Sequence, residues 1–451
     1  MGVRRWIAGV VVGLGLSLVS SGCTLVAVAP APPAPGGGEV SGPPQPPRDP
    51  VPTPVAPPPP VTSAPEDPRE VRALWVVRTT LVHPDSVRAM VSRAASAGFN
   101  TLLVQVRGRG DAWYVGGPDP RAALLAGTAP GFDPLASVIE EAHRQGLEVH
   151  AWVNTHLVSS AVTLPTDPRH LLLRNPHWLA VPRALGRELA VVDPADPTYV
   201  ERVARYAREN IQRVEGIYTS PSHPEVVEHV LSVWRHLLAH YPVDGVHLDY
   251  IRYGSPEFDY SPVTTAAFRE WMAPRVSEAR RAELDRASAQ DPLAWPLGEE
   301  EGFDAFRLNA VSGLVERLAR EAREARPGIP ITAAVFPDVA QARRDRFQDW
   351  GEWLRQGWVD RVLPMAYTSD EELYRAQVRD AVAVAGGHRV WAGLGIYQTT
   401  FQGAVRKLEI ARQEGAVGIA LFSYDWAVAE GGRVSGGVYL DQLARESFMG
   451  R

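Results

Sequence analysis

The chain has 451 residues, 45% apolar and 22% charged, with a formal net charge of −6. That apolar content supports a large folded core, and the acidic balance disfavours nucleic acid as a partner. One cysteine, Cys23, excludes an internal disulfide and any cysteine-built metal centre.

Arg4 and Arg5 precede an apolar run from Trp6 to Val19, which ends in Ser20-Ser21-Gly22-Cys23. A basic head, a short apolar core and small residues before a cut site make a secretory signal. The run is short for a membrane span. Residues 1–23 resemble a bacterial lipoprotein signal, which is cut before a cysteine that then carries lipid. Ser20 departs from that pattern, which usually has Leu there, and a plain cleaved signal is the alternative. Cleavage removes Arg4 and Arg5 and takes the charge from −6 to −8. By the same resemblance, Thr24 in place of an Asp favours the outer membrane. The expected location is therefore export, with a lipid anchor at Cys23 on the periplasmic face of the outer membrane. Residues 24–69 are dominated by Pro and include Pro57-Pro58-Pro59-Pro60. They read as a disordered or semi-rigid spacer, on the order of 100 Å long in polyproline form.

From residue 70 to 451, apolar strand-like runs alternate with amphipathic helices. The strands are expected at Val71–Arg78, Thr101–Val106, Glu148–Asn154, Gly245–Tyr253, Ile331–Phe336, Arg361–Tyr367, Val390–Tyr397 and Gly418–Tyr424. Helices are expected at Ser86–Ala97, Leu135–Gln145, Pro224–His240, Phe306–Ala325 and Gln402–Gln413. Gly98, Gly146, Gly357 and Gly415 stand where helices should stop. Strict alternation means parallel strands with crossover helices, and eight units predict an α/β (β/α)8 TIM barrel. Long insertions follow the third strand (155–241) and the fourth (254–304). An open doubly wound sheet is the alternative. Arg78-Thr79-Thr80-Leu81 after the first strand is no glycine-rich phosphate loop, so neither a nucleotide nor another cofactor is expected.

The stretch Asp244-Gly245-Val246-His247-Leu248-Asp249-Tyr250-Ile251-Arg252-Tyr253 carries the chemistry. Alternation puts Val246, Leu248 and Tyr250 on one face and His247, Asp249 and Ile251 on the other. A carboxylate at the C-terminal end of a buried barrel strand sits where catalytic groups gather. Asp249 is thus the first catalytic candidate; the bland alternative is an ion pair with a neighbouring arginine. Other strand ends bring Arg78; Gln105, Arg107, Arg109 and Asp111, with Trp113 and Tyr114; Asn154 and His156; and Arg252 and Tyr253. Asp338, Tyr367, Tyr397, Asp425 and Trp426 complete the set. Carboxylates, planar donors and rings together suit a sugar. Each also has a structural reading, as a rim ion pair or a hydrophobic seam. No His-x-His or His-Glu-x-x-His pattern supports a metal at His156, His247 and Asp249.

Several motifs in order resemble the glycosyl-hydrolase-like family 10 of bacterial surface proteins. They are Val71-Arg72-Ala73-Leu74-Trp75, Gln105-Val106-Arg107-Gly108-Arg109-Gly110-Asp111-Ala112-Trp113-Tyr114, the Asp244–Tyr253 stretch, Gln348-Asp349-Trp350, Pro364-Met365-Ala366-Tyr367 and Gly418–Tyr424. The resemblance spans roughly residues 70 to 440. It implies a TIM-barrel glycoside hydrolase at the cell envelope, linked to cleavage of peptidoglycan glycan strands. Many relatives carry a second Asp where this chain has Tyr250. The expected mechanism uses Asp249 as nucleophile or base, with Asp338 or Asp425 as partner and Asp111 third. A substrate-assisted route is disfavoured, because Ile251 stands where such enzymes carry Glu. The competing reading is a non-catalytic glycan-binding lipoprotein on a degenerate barrel.

Overall fold

Eight parallel strands wrap into a nearly closed barrel in the computed structural model of the protein. The structure describes residues 70–129, 131–429 and 438–448; the expected signal, Cys23 and the spacer lie outside them. The strands in chain order are β1 (Val71–Val76), β2 (Thr101–Arg107), β3 (Glu148–Asn154), β4 (Leu157–Ser159), β5 (Ile217–Tyr218), β6 (Gly245–Asp249), β7 (Ile331–Val335), β8 (Arg361–Pro364), β9 (Trp391–Gly395) and β10 (Gly418–Phe422). Around the barrel they run β8-β7-β6-β3-β2-β1-β10-β9. Isolated parallel bridges Val362–Val390 and Met365–Gly393 bring β8 to β9. The short β4 and β5 form a separate antiparallel pair in the first insertion.

Every residue of β2 is buried, because one face meets helices and the other fills the barrel. Inside lie Ala73, Trp75, Leu103, Trp152, Leu363, Trp391 and Ala420. Bulky indoles alternate with alanines, so the interior is packed rather than open. Outside, the crossover helices include Pro84–Ser96, Pro134–Arg144, Pro224–His240, Glu300–Ala325 and Phe401–Gln413. Gly98, Gly146, Gly357 and Gly415 take φ of 78°, 73°, 69° and 87°, the left-handed turn that ends a helix and favours glycine.

A repeated clasp closes the N-terminal ends of the strands. The residue before β2, β6 and β8 is Asn100, Asp244 and Asp360 respectively. Each donates its N–H to a neighbouring carbonyl, that of Arg72, Val149 or Ile331. Each side-chain oxygen in turn accepts the N–H of that same neighbour, at 2.9, 2.8 and 2.8 Å. These two-point bonds pin the register of neighbouring strands.

The second insertion packs Tyr260, Phe268, Leu284, Leu293, Trp295, Phe303 and Phe306 into a satellite core. It is tied to the first insertion through Asp259. That carboxylate accepts from Val181 N at 2.7 Å, Ser261 N at 2.9 Å and Thr264 Oγ1 at 2.6 Å. Burial pushes the Asp259 carboxyl pKa up, against the pull of its donors.

Candidate active site

The strand that carries Asp249 is shorter than its apolar run predicts. β6 ends at Asp249 because Tyr250 turns into the left-handed region at φ 49°, so Tyr250 and Ile251 leave the strand alternation. A tyrosine there is strained, and such strain is held by its surroundings. The turn puts the Tyr250 ring under the Arg252 guanidinium, 4.1 Å from the ring centre, with Phe336 at 5.2 Å.

Asp249 is 6% exposed. Its Oδ2 accepts from Trp152 Nε1 at 3.0 Å, and its Oδ1 from Tyr250 N at 2.7 Å and Arg252 Nη1 at 3.4 Å. Burial raises the carboxyl above the ordinary aspartate range, against the opposing pull of Arg252 and the other donors. One layer below, His247 accepts from Trp75 Nε1 at 3.1 Å, so its Nδ1 carries the proton toward Thr332 Oγ1 at 2.8 Å. Burial keeps His247 far below the usual histidine pKa, a neutral interior group.

The other face of Arg252 meets a residue that sequence reasoning missed. Glu215 Oε1 lies 3.8 Å from Arg252 Nη2, and its Oε2 accepts the Tyr218 hydroxyl at 2.6 Å. Glu215 comes from the first insertion, just before β5. A Cβ on Gly216 would stand 2.3 Å from Ser159 O, so only glycine lets this segment close on β4 and deliver Glu215. Burial alone would lower the Arg252 pKa, but Tyr218, Glu215 and Asp249 around it raise it, so the guanidinium stays charged. The local signal for Glu215 is a glycine inside the short apolar stretch Val214-Glu215-Gly216-Ile217-Tyr218.

Beside Asp249 the neighbouring strands end in amides. Gln105 Nε2 donates to Asn154 Oδ1 at 3.4 Å, and Asn154 Nδ2 to Gly108 O at 2.8 Å. Arg78 Nη1 donates to Gln105 Oε1 at 2.8 Å. Asp111 holds Arg109 N at 2.7 Å and Trp113 Nε1 at 3.2 Å. On the opposite arc, Tyr397 stacks on Trp426 at 5.4 Å and 22°, and Tyr367 joins Tyr397 to Trp75. Trp426 is 38% exposed, which leaves part of its ring to solvent.

Several expected site residues lie behind this surface. Arg107 is buried in an ion pair with Asp119 at 2.6 Å and donates to the Asn154 and Thr155 carbonyls, which fixes the end of β3. His229 Nε2 completes the pair on Asp119 at 2.9 Å. Trp113, Tyr114, His156 and Tyr253 are buried as well. Tyr114 stacks on His236 and Tyr253 meets Phe347 edge-on. His156 faces Thr219 Oγ1 at 3.3 Å, and burial with Arg107 nearby pulls its pKa down to about 3. Among the described residues, no group of three His, Cys, Asp or Glu side chains is arranged to hold a metal.

The two acids expected to partner Asp249 are engaged elsewhere. Asp338 is exposed and caps the helix Val339–Arg346 through Gln341 N at 2.8 Å. Asp425 accepts from Val77 N at 2.9 Å and Thr80 Oγ1 at 2.6 Å, which ties the end of β10 to the end of β1. Burial raises its pKa against those donors.

The family described as Glycosyl hydrolase-like 10 matches residues 70–399, and the chain belongs to that family. It is 24% identical over 335 residues to Glycosyl hydrolase YngK of Bacillus subtilis (strain 168), covering 67% of this chain and 54% of that one. It is 23% identical over 297 residues to Glycosyl hydrolase DigH of Escherichia coli (strain K12), covering 60% and 55%. The chain thus spans about half the length of these curated relatives. Among solved structures, the PgaB (BpsB) glycoside hydrolase domain from Bordetella bronchiseptica superposes with a TM-score of 0.53 at 16% identity, over 78% of this chain and 94% of that one. The catalytic domain of β-amylase from Paenibacillus polymyxa gives 0.54 at 11%, over 84% and 97%. At these identities the structural likeness establishes the barrel alone.

Proposed function

We propose that this member of the glycosyl hydrolase-like 10 family cleaves glycosidic bonds in a cell-envelope polysaccharide, with peptidoglycan glycan strands as substrate. One observation carries the reading. A buried carboxyl with a raised pKa ends a barrel strand, and a second carboxylate faces it across a single guanidinium. A carboxyl whose pKa is raised by burial holds its proton to higher pH than an ordinary aspartate and can give it to the leaving glycosidic oxygen. Asp249 takes that role.

Glu215, beside Arg252 and the Tyr218 hydroxyl, is the partner that deprotonates the attacking water or attacks the anomeric carbon itself. With one guanidinium between them, the nearest carboxylate oxygens are at most about 10 Å apart, compared with roughly 5 to 9.5 Å in retaining and inverting glycosidases. The Gln105–Asn154 amides would take sugar hydroxyls, and Tyr397 with Trp426 a sugar face. By the same reading the chain is exported and held at the outer membrane through lipid on Cys23. Intact-mass measurement of the membrane-extracted protein tests that anchor.

The catalytic assignment is tested with purified protein and isolated glycan strands, released fragments being read by mass spectrometry. Asp249→Asn and Glu215→Gln should each lower turnover by about 10²- to 10⁴-fold with the fold retained. Asp338→Asn and Asp425→Asn should leave most activity. Full turnover in Asp249→Asn would end its catalytic role. A second reading, glycan binding without cleavage, draws on the donors that occupy both oxygens of Asp249. It requires the wild-type protein to bind strands and release no fragments.

A further inference from the structure

We propose that Arg78 and Arg109 form an anion subsite beside Asp249 and that the sugar bound there carries a carboxylate. The proposal rests on reading this rim as a glycan site, and it adds the charge of the substrate. The two arginines come from different strand ends and are brought together by Gly108. A Cβ at residue 108 would meet Arg78 Cδ at 2.3 Å, Nε at 2.6 Å and Cζ at 2.9 Å. The Arg78 side chain therefore lies across the backbone of the residue that precedes Arg109.

The loop that presents Arg109 is tied at every point. Its N–H donates to Asp111 Oδ1 at 2.7 Å, its carbonyl meets His170 Nε2 at 2.7 Å, and the Gly108 carbonyl accepts from Asn154 at 2.8 Å. Gly110 follows in the left-handed region at φ 68°. Arg78 is fixed in turn through Gln105 Oε1 at 2.8 Å.

Among the described residues no carboxylate forms an ion pair with either cation, whereas other surface arginines, such as Arg187, Arg235 and Arg343, are paired with acids. The carboxylate in reach, Asp111, has one oxygen on a backbone N–H and the other on the Trp113 indole. Burial lowers the Arg109 pKa and repulsion from Arg78 adds to it, against the weaker opposing pull of Tyr250, Asp111 and Tyr218. Both residues are half-buried and open to solvent on the rim that holds Asp249. Two half-buried guanidiniums on the ends of paired strands repel each other when empty and are complementary to a planar carboxylate. A neutral glycan would leave that repulsion in place.

A carboxylate on a sugar comes either from oxidation at C6 or from an acidic ether substituent, and both present the same group to the arginines. The test uses β-linked oligosaccharides of each kind, hexuronate-containing and 3-O-lactyl-containing. Each is compared with the same material after its carboxylates are reduced to alcohols. Calorimetric titration into the full-length Asp249→Asn protein removes turnover from the measurement.

At low salt, one acidic series should bind at least tenfold more tightly than its reduced counterpart, and the series that does so identifies the source. Salt should narrow that gap. Arg109→Gln, and Arg78→Gln with Arg109→Gln, should abolish it while thermal melting confirms folding; Arg109→Lys should retain part of it. Equal affinity for acidic and reduced strands in both series would overturn the anion subsite. Cleavage of a reduced strand by wild-type protein would at the same time leave the hydrolase reading standing.

Discussion

The two rims of the barrel use the same residue types in opposite ways. At the N-terminal rim, Asn100, Asp244 and Asp360 each give a side-chain oxygen to a neighbouring strand N–H and receive a second bond through their own backbone. At the C-terminal rim, Asp249 and Glu215 share one guanidinium, burial raises the Asp249 pKa, and among the described residues no carboxylate forms an ion pair with Arg78 or Arg109. The lower rim is electrostatically settled and the upper rim is not. Uncompensated charge in a buried place destabilises a fold, so its concentration at one end of a barrel is a mark of function rather than of packing.

The contrast is sharpest where the upper rim is itself propped up by a settled pair. Asp119→Ala removes the partner of buried Arg107 and should destabilise the protein by about 3 to 5 kcal/mol in denaturant unfolding. Burial opposes ionisation of Asp119, but Arg107 and His229 outweigh it and hold its pKa far below the ordinary range. Its stabilisation is thus present above about pH 4 and lost as pH falls through the depressed value. The gap between wild type and Asp119→Ala should close in strong acid; a gap independent of pH would make the pair a packing contact only.

A smaller effect is expected at the lower rim. Asp360→Ala leaves the Ile331 N–H without its 2.8 Å acceptor and should cost about 1 to 3 kcal/mol, read from the denaturation midpoint, with turnover unchanged. Lost activity in a fully folded Asp360→Ala protein would contradict the division between rims. The smallest effect carries the opposite sign. The folded pKa of Asp249 is raised, so its contribution is fully present below about pH 4 and is lost as pH rises through the folded value. Asp249→Asn does not titrate, and its melting temperature should rise relative to wild type as pH increases above about 4. A relative fall would mean that Arg252 dominates burial.

Much of this framework is readable from residue order. Glu148–Asn154 and Pro224–His240 have the same ends in the structure as in the hydrophobic pattern, because a Gly or Pro stands beside a run whose period is unambiguous. The run Gly245–Tyr253 overshoots, since apolar pattern alone does not report the left-handed turn at Tyr250. Asp249 stands out in one dimension as a carboxylate inside a buried strand. Glu215 does not: it lies in an insertion, and its proximity to Arg252 exists only after Gly216 packs against β4.

The sequence by itself determined the alternation of strands and helices, and with it the barrel and the strand that bears Asp249, because periodicity and helix-stop glycines act over short range. Tertiary structure alone decided which charges meet. Arg107 turned inward to Asp119, Asp425 to the end of β1, and Arg252 to both Asp249 and Glu215. Pairing of side chains depends on distances between segments far apart in the chain, and those distances are set by the packing of the whole barrel.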